Sequence, residues 1–181
     1  MNKKDNLVWI DLEMTGLNPA HNVILEIASI VTDKDLNILA KGPSLVIHQP
    51  DDAISSMDEW AKNQHAKSGL LEQVCSSTIT TKQAEEQTLD FIKSYCLPET
   101  APLCGNSVWQ DRIFLYTYMP TLLSYLHYRI VDVTSFKEII TRWYPHNPHA
   151  FFEKKDTHRA LEDINESIAE LKQYKTYFFV K

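Results

Sequence analysis

The chain has 181 residues, of which 44% are hydrophobic and 23% are charged. This length predicts a single domain over residues 1–181, and the balance of residue types excludes disordered and fibrous classes. The net charge of −6 at pH 7 argues against a protein that grips a long nucleic acid through a basic surface. A role in nucleic-acid chemistry would therefore need a short substrate or bound metal ions.

The chain begins with only one short apolar run, at residues 7–10. A secretory leader needs about 7–15 apolar residues, and a membrane span needs roughly 18. The cysteines Cys75, Cys96 and Cys104 are odd in number and lack metal-type spacing. Such usage suits a reducing compartment, so we expect a cytoplasmic protein.

The N-terminal half predicts three strands and two helices. The apolar run 7–10 is typical of a buried strand. Segments 23–32 and 36–48 are rich in Val, Ile and Leu and flank a short polar turn, which predicts an antiparallel hairpin. A helix is predicted over 57–67, and a capping box at residues 80–83 predicts the start of another.

A short strand and a helix follow Pro98, which ends the preceding helix. Residues 102–105 predict the strand. Asn106 or Ser107 can cap the next helix, which runs to Met119 before Pro120.

The C-terminal part predicts one further strand, over 128–133, and two helices. A capping box at residues 135–138 predicts a helix that ends near Pro145, followed by a loop over 145–156. The final helix is predicted by an apolar stripe of Leu161, Ile164, Ile168, Leu171 and Tyr174. This order predicts an α/β fold with a mixed five-stranded sheet flanked by helices.

The first candidate site residues are Asp11 and Glu13, directly after the first apolar run. Side chains alternate along a strand, so the two carboxylates share one face. They would lie at the carboxyl end of a strand, where open α/β sheets place their ligands. Two alternatives remain open at this point: acids that simply project into solvent, and an aspartyl phosphatase site, which Thr15 fits weakly.

Asp111, His158 and Asp163 are the remaining candidates. Asp111 falls in the first turns of a helix, where the helix dipole alone would favour an acid. His158 and Asp163 are five residues apart and would lie about 140° apart on one helix. They can share a site only if His158 precedes the helix. The alternatives are a surface histidine and an i,i+4 pair between Asp163 and Arg159, worth a few tenths of a kcal/mol.

Residues 9–17, 104–111 and 158–163 together carry a resemblance to a known family. In this order they resemble the three exonuclease motifs of the DEDDh family, which has a ribonuclease-H-like fold. The run Asp11-Leu-Glu-Met-Thr-Gly, the run Cys104-Gly-Asn-Ser and segment 127–133 are more similar to members that degrade short RNA than to proofreading exonucleases or ribonuclease T. The resemblance covers the chain from residue 7 to residue 174.

The resemblance implies a 3′→5′ exoribonuclease that converts RNA oligonucleotides, dinucleotides especially, to 5′-mononucleotides. It implies that Asp11, Glu13, Asp111 and Asp163 hold two Mg²⁺ or Mn²⁺ ions and that His158 is the general base. Carboxylates suit such hard cations. Two ions can stabilise the attacking and leaving oxygens of a displacement at phosphorus.

The same resemblance implies a cap that holds the 5′ end of the substrate. Ser107, Arg129 and Thr134 would bind the terminal phosphate, since Arg and helix N-termini suit phosphate oxygens. Leu17, Trp60 and His65 would pack on the bases. The resemblance also implies a homodimer in which His127 and Tyr128 reach the partner's site. The ordinary alternatives are core packing for Trp60, loop anchoring for Leu17 and a surface charge for Arg129.

The sequence departs from the family pattern at two positions. Trp109 stands where a smaller residue is expected, beside Ser107, and Glu162 stands where an Asp often precedes the last metal ligand. Two other functions remain open. One is a proofreading-like or ribonuclease-T-like exonuclease acting on longer nucleic acid, which would need basic patches. The other is a protein that binds RNA ends without cleaving them, which the five polar site residues argue against.

Overall fold

The computed structural model describes residues 3–154 and 159–179. Its strands are β1 (Leu7–Met14), β2 (Ile24–Thr32), β3 (Ile38–Val46), β4 (Pro102–Gly105) and β5 (His127–Asp132). Its helices are α1 (Asp51–Ser55), α2 (Glu59–Lys67), α3 (Leu70–Ser76), α4 (Thr81–Tyr95), α5 (Trp109–Tyr118), α6 (Pro120–Tyr125), α7 (Val133–Trp143) and α8 (Ala160–Phe178). A 3₁₀ turn, Pro148–Ala150, lies between the last two helices. Across these residues, each helix is too short or too polar to span a lipid bilayer.

The strands form one sheet in the order β3-β2-β1-β4-β5. β1, β2 and β3 are antiparallel neighbours, whereas β4 runs parallel to both β1 and β5. The predicted mixed five-stranded sheet and its N-terminal hairpin are therefore confirmed. All nine residues of β2 are buried, as expected for a strand covered on both faces.

Alternation along β1 assigns its side chains to two core layers. Val8, Ile10 and Leu12 pack in the layer that includes α4, α5 and α6. Trp9 packs in the opposite layer, with the apolar face of α8. Because side chains repeat every second residue, Asp11 and Glu13 lie on the Trp9 face, the side that α8 covers.

Helix starts differ from the prediction at two places. The capping box at Thr80 is confirmed, with its hydroxyl accepting from the Gln83 N–H at 3.2 Å. The cap of α7, however, lies three residues before the predicted cap at residue 135, because Asp132 accepts from the Thr134 N–H at 2.9 Å. The prediction that Asn106 or Ser107 caps α5 is also wrong, since Val108 occupies that position.

The short helices α1, α3 and α6 were not predicted. α6 starts at Pro120, the residue taken from the sequence only as the end of α5. Proline is favoured in the first turn of a helix because its missing N–H is not needed there. β1 also extends four residues beyond its predicted end, to Met14.

Candidate active site at the open sheet edge

The site begins with Asp11 and Glu13 on β1. Both lie within the strand, paired across from Ala28 and Glu26 of β2, and both are half-buried. They are therefore not acids at a frayed strand end. On its other side β1 pairs with β4 at Val8 and Trp9, and β4 ends at Gly105. The carboxylates thus lie just beyond the end of the neighbouring parallel strand.

Asp163 reaches the same place from α8. It lies in the first turn of this helix, where its N–H donates to the carbonyl of Arg159 at 3.0 Å. Carboxylate oxygens of Asp11, Glu13 and Asp163 lie within 4.8 Å of one another. We call these three residues the carboxylate cluster.

Asp111 is tied to the backbone of β1. Its Oδ1 accepts from the Leu12 N–H at 3.0 Å, and the residue is 6% exposed. β4 does not extend alongside β1 as far as Leu12, so the Asp111 carboxylate accepts the hydrogen bond from the Leu12 N–H in place of a neighbouring strand. The hydrogen bond fixes the start of α5 against the strand that carries Asp11 and Glu13.

Burial and mutual repulsion make the ionised carboxylates costly here. Burial, followed by the charges of Asp111, Glu13 and Asp163, raises the pKa of Asp11 well above its ordinary value of 3.8. Burial, then the Asp163 charge, raises the pKa of Glu13 from 4.5 to about 8. Burial likewise raises the pKa of Asp111 to about 8.

A bound cation would reverse this cost, because a positive charge among the acids favours their ionised form. Carboxylate oxygens are also the ligands that hard divalent cations prefer. The cluster therefore fits a divalent metal. His158, the predicted base, lies outside the described residues.

An ion pair between a buried carboxylate and a partly exposed guanidinium flanks the cluster. Arg159 donates from Nε and Nη2 to the two carboxylate oxygens of Glu26, at 3.0 and 2.9 Å. Glu26 is 1% exposed. The alternative of an i,i+4 pair between Arg159 and Asp163 is therefore wrong, because the guanidinium is directed to β2.

His65 on α2 is 3% exposed. Its Nε2 lies 2.9 Å from the carbonyl oxygen of Met14, and its Nδ1 lies 3.7 Å from a carboxylate oxygen of Glu13. The ring is thus directed to β1 rather than to the surface. Its predicted contact with a base stays a prediction.

Ser107 and Thr134, predicted to bind a terminal phosphate, lie together at the ends of β4 and β5. The Ser107 N–H donates to Thr134 Oγ1 at 2.9 Å and to Asp132 Oδ1 at 3.0 Å. Ser107 adopts a left-handed backbone with φ of 48°. Arg129, the third residue of this group, is exposed, and its Nε donates to the hydroxyl of Tyr128 at 3.0 Å.

Leu17 and Trp60 are two exposed apolar side chains on the segments that carry the site. They are 67% and 66% exposed, respectively. Leu17 follows β1, and its carbonyl accepts from Gln110 Nε2 at 2.7 Å, which ties this turn to α5. Trp60 lies in the first turn of α2, the helix that carries His65. Such surfaces can pack on a nucleobase, so these two assignments also stay predictions.

Thr15 removes the support for a phosphatase site. It is 1% exposed, and its hydroxyl accepts from the Val23 N–H at 3.0 Å. A side chain used in this way stabilises the turn after β1.

Sequence reasoning did not identify Glu26, Arg159 as its partner, or Asp132. Glu26 is an acid within the otherwise apolar segment 23–32, a pattern that signals a buried charge with a partner. Asp132 precedes Val133-Thr134, a spacing compatible with a helix cap.

Comparison with known proteins identifies the class to which this mixed sheet with its acidic cluster belongs. Residues 8–171 match the RNase T family, described as exonuclease. Oligoribonuclease from Ruthia magnifica is 55% identical over 178 residues, and the match covers 98% of each chain. Oligoribonuclease from Haemophilus ducreyi is 54% identical over 180 residues, again with 98% of each chain covered. The chain belongs to the exonuclease family, among its oligoribonucleases.

Solved structures of exonuclease I share the fold. One has a TM-score of 0.71 and 18% identity over 95% of this chain. The Escherichia coli enzyme with a dT13 oligonucleotide has a TM-score of 0.70 and 18% identity over 96% of this chain. This chain spans 41% of the length of each of these proteins. The likeness therefore establishes the fold alone.

Proposed function

We propose that this chain is a 3′→5′ exoribonuclease that degrades short RNA oligonucleotides, dinucleotides especially, to 5′-mononucleotides. The observation that carries the proposal is the carboxylate cluster. Its oxygens lie within 4.8 Å of one another, just beyond the carboxyl end of β4. The oligoribonucleases that this chain resembles are named for activity on RNA oligomers. The net charge of −6 is easier to reconcile with a short substrate than with a long polyanion.

Asp11, Glu13, Asp111 and Asp163 would hold two divalent cations, Mg²⁺ or Mn²⁺. When bound, these ions stabilise negative charge on the attacking and leaving oxygens at the scissile phosphate. The chain's own contribution is to hold the carboxylates rigid: β1 fixes two of them, the Leu12 N–H fixes Asp111, and the first turn of α8 fixes Asp163. His158 would take a proton from the attacking water, a contribution of roughly 10²–10⁴ in rate.

The 5′ end of the substrate would bind at Ser107, Arg129 and Thr134. Thr134 lies in the first turn of α7; its own N–H donates to Asp132, but its hydroxyl and the helix dipole favour an anion there. The Arg129 guanidinium can approach a phosphate by leaving Tyr128, because both side chains are exposed. A terminal phosphate held at a fixed distance from the cluster would favour substrates of two nucleotides over longer ones.

Leu17 and Trp60 would contact the bases. An aromatic face such as Trp60 stacks a base for about 1–3 kcal/mol without regard to its identity. His65 Nδ1 lies 3.7 Å from a carboxylate oxygen of Glu13, so we assign His65 a place beside the cluster as well as near the base.

The active form would be a homodimer in which His127 and Tyr128 complete the partner's site. Both residues begin β5, the edge strand of the sheet, and Tyr128 is 69% exposed. They line a groove of about 500 Å³ together with Arg112 and Tyr116. An edge strand with exposed aromatic residues is a surface that proteins usually cover.

The proposal is tested by incubating the purified protein with a 5′-phosphorylated diribonucleotide and Mg²⁺ or Mn²⁺. Chromatography should show conversion to 5′-mononucleotides, and EDTA should abolish it. Asp11→Asn should remain folded and inactive. Intact dinucleotide under conditions in which the protein binds Mn²⁺ would contradict the proposal and would favour an RNA-end-binding protein.

Substrate length and the two ends of the RNA separate the remaining alternatives. Rates for RNAs of two to seven nucleotides, with and without a 5′-phosphate, should fall with length. A 3′-phosphate should block the reaction. A preference for the longest RNA or for DNA would instead favour a proofreading-like or ribonuclease-T-like enzyme.

The dimer has its own test. A dimer of Asp11→Asn protomers is expected to be inactive and a dimer of Tyr128→Ala protomers weakly active, whereas a mixture of the two should regain activity. In the mixed dimer, one site combines an intact Asp11 with an intact Tyr128 from the other protomer. A monomer by light scattering, or no recovery on mixing, would contradict this arrangement.

A further inference from the structure

The ion pair of buried Glu26 with partly exposed Arg159, beside the carboxylate cluster, joins two elements that the site depends on. Glu26 lies on β2 directly opposite Glu13 of β1. Cross-strand partners project from the same face of a sheet, so Glu26 faces the layer of α8. Its two carboxylate oxygens accept from Nε and Nη2 of Arg159 at 3.0 and 2.9 Å. This is the bidentate geometry in which guanidinium and carboxylate fix both distance and angle.

Arg159 is the residue from which α8 starts. It occupies the cap position with an extended backbone, at φ of −132° and ψ of 124°. Its carbonyl accepts from the Asp163 N–H at 3.0 Å, and its Nη2 also donates to Gln73 of α3 at 3.1 Å. Glu26 Oε2 lies 3.5 Å from the Ala160 N–H. A carboxylate of β2 therefore stands at the N-terminus of α8, as a capping acid would.

We propose that the Glu26–Arg159 ion pair is a positioning device that holds the first turn of α8, and with it Asp163, at the distance from Asp11 and Glu13 that a divalent cation requires. The inference rests on the proposed function, because the cations belong to that proposal. Glu26 lies close enough to the cluster to add a further negative charge to it. The ion pair with Arg159 compensates that charge. Both residues act through Asp163 and its neighbours rather than on the substrate.

Metal binding should be sensitive to substitution of either residue of this ion pair, because the Glu26 carboxylate is buried. Removing one partner of a buried ion pair leaves the other charge without compensation. In Glu26→Gln the Arg159 cation remains beside Glu13, where it would compete with the metal. In Arg159→Lys the charge remains but the planar fork is lost, since an ammonium cannot bind both oxygens in that geometry.

The test measures Mn²⁺ binding by isothermal titration calorimetry in the absence of RNA. Glu26→Gln and Arg159→Lys should each weaken Mn²⁺ affinity about 10–100-fold, the range found for groups that orient metal ligands. The matched control is Lys175→Gln, which breaks an exposed ion pair with Asp35 at the other end of α8, where the two atoms are 2.9 Å apart. Its Mn²⁺ affinity should equal that of the wild type.

Steady-state kinetics and a double variant complete the experiment. For Glu26→Gln and Arg159→Lys at limiting Mn²⁺, kcat should fall while KM for the dinucleotide stays unchanged. The 5′-phosphate contacts lie elsewhere, in the turn after β4, on β5 and on α7. In Glu26→Gln/Arg159→Lys, the loss should match that of the weaker single variant instead of multiplying, since either change breaks the same contact.

Three results would overturn the inference. Wild-type Mn²⁺ affinity in both single variants would remove the positioning role and leave the proposed function intact. Equal changes in KM and kcat, together with a lower melting temperature, would mean that the pair only stabilises the fold. Absence of Mn²⁺ binding by the wild-type protein would overturn the proposed function, and the inference with it.

Discussion

Replacing Glu13 by glutamine should make the metal-free protein more stable at pH 8 and remove its stabilisation by divalent cations. Burial, followed by the Asp163 charge, raises the pKa of Glu13 from 4.5 to about 8 in the folded chain. An acid of this kind costs no stability below pH 4.5. Its cost grows as the pH rises towards 8, because the unfolded chain then ionises more readily than the folded one.

The size of the effect follows from the same values. A tenfold change in acid dissociation corresponds to about 1.4 kcal/mol, so a rise from 4.5 to about 8 corresponds to roughly 4–5 kcal/mol. The Glu13 side chain is 12% exposed, and relaxation around it lowers the cost of the buried charge. We expect Glu13→Gln to be more stable by about 2 kcal/mol at pH 8, or roughly 4–8 °C in melting temperature.

Thermal denaturation in EDTA at pH 5 and pH 8 measures this directly. The wild type should lose stability between the two values, and Glu13→Gln should lose less. Added Mn²⁺ should stabilise the wild type in proportion to ligand occupancy, but not the variant. The matched control is Glu86→Gln, an acid on α4 whose side chain is 61% exposed. An identical pH dependence for the wild type and Glu13→Gln in EDTA would refute the reasoning.

Three further predictions concern the cap and the scaffold. Arg129→Ala should raise KM for a 5′-phosphorylated dinucleotide about tenfold, from the loss of a charged hydrogen bond, and KM for a seven-mer by less; equal effects would refute the phosphate contact. Trp60→Ala should raise dinucleotide KM about tenfold through lost stacking, with an unchanged melting temperature because Trp60 is 66% exposed. Glu85 is 2% exposed and accepts from the Thr121 and Leu122 N–H groups at 2.7 and 3.1 Å. Glu85→Ala should therefore destabilise the protein by about 3 kcal/mol in urea unfolding while kcat is retained.

The strands and long helices follow from local patterns in the sequence. Segments 23–32 and 36–48 predicted a hairpin, and the structure has β2 and β3 there. The box at Thr80 predicted the start of α4 correctly, because its acceptor and donor lie within four residues of one another. Alternation along β1 also predicted that Asp11 and Glu13 share a face, which the cluster with Asp163 confirms.

Other features depend on contacts between distant segments. Ser107 is not a helix cap: its hydroxyl lies 3.2 Å from Thr134 Oγ1, and its N–H donates to Asp132 and Thr134, about 25 residues away in sequence. Asp132 displaced the predicted cap at residue 135 for the same reason: it serves both Ser107 and Thr134. The pairing of β4 with β5 brings Ser107 and Asp132 together, and the local sequence around either residue does not reveal this contact.

The site residues likewise divide into those that the local sequence predicts and those that depend on contacts between distant segments. The acids of the site could be found from the sequence because two of them follow the apolar run 7–10 of β1 and the other two lie in the first turns of helices. The Glu26–Arg159 pair spans 133 residues, and nothing local to either residue identifies its partner. Arg159 has an acid four residues later on its own helix, which made the wrong pairing look reasonable.

The most direct test of the account is a crystal structure of the protein with Mn²⁺ and a dinucleotide whose scissile phosphate is replaced by a phosphorothioate. Anomalous diffraction should place manganese between the carboxylates of Asp11, Glu13 and Asp163, adjacent to that phosphate, with the 5′-phosphate beside Ser107 and Thr134. Manganese bound elsewhere, or RNA bound away from the open sheet edge, would contradict it.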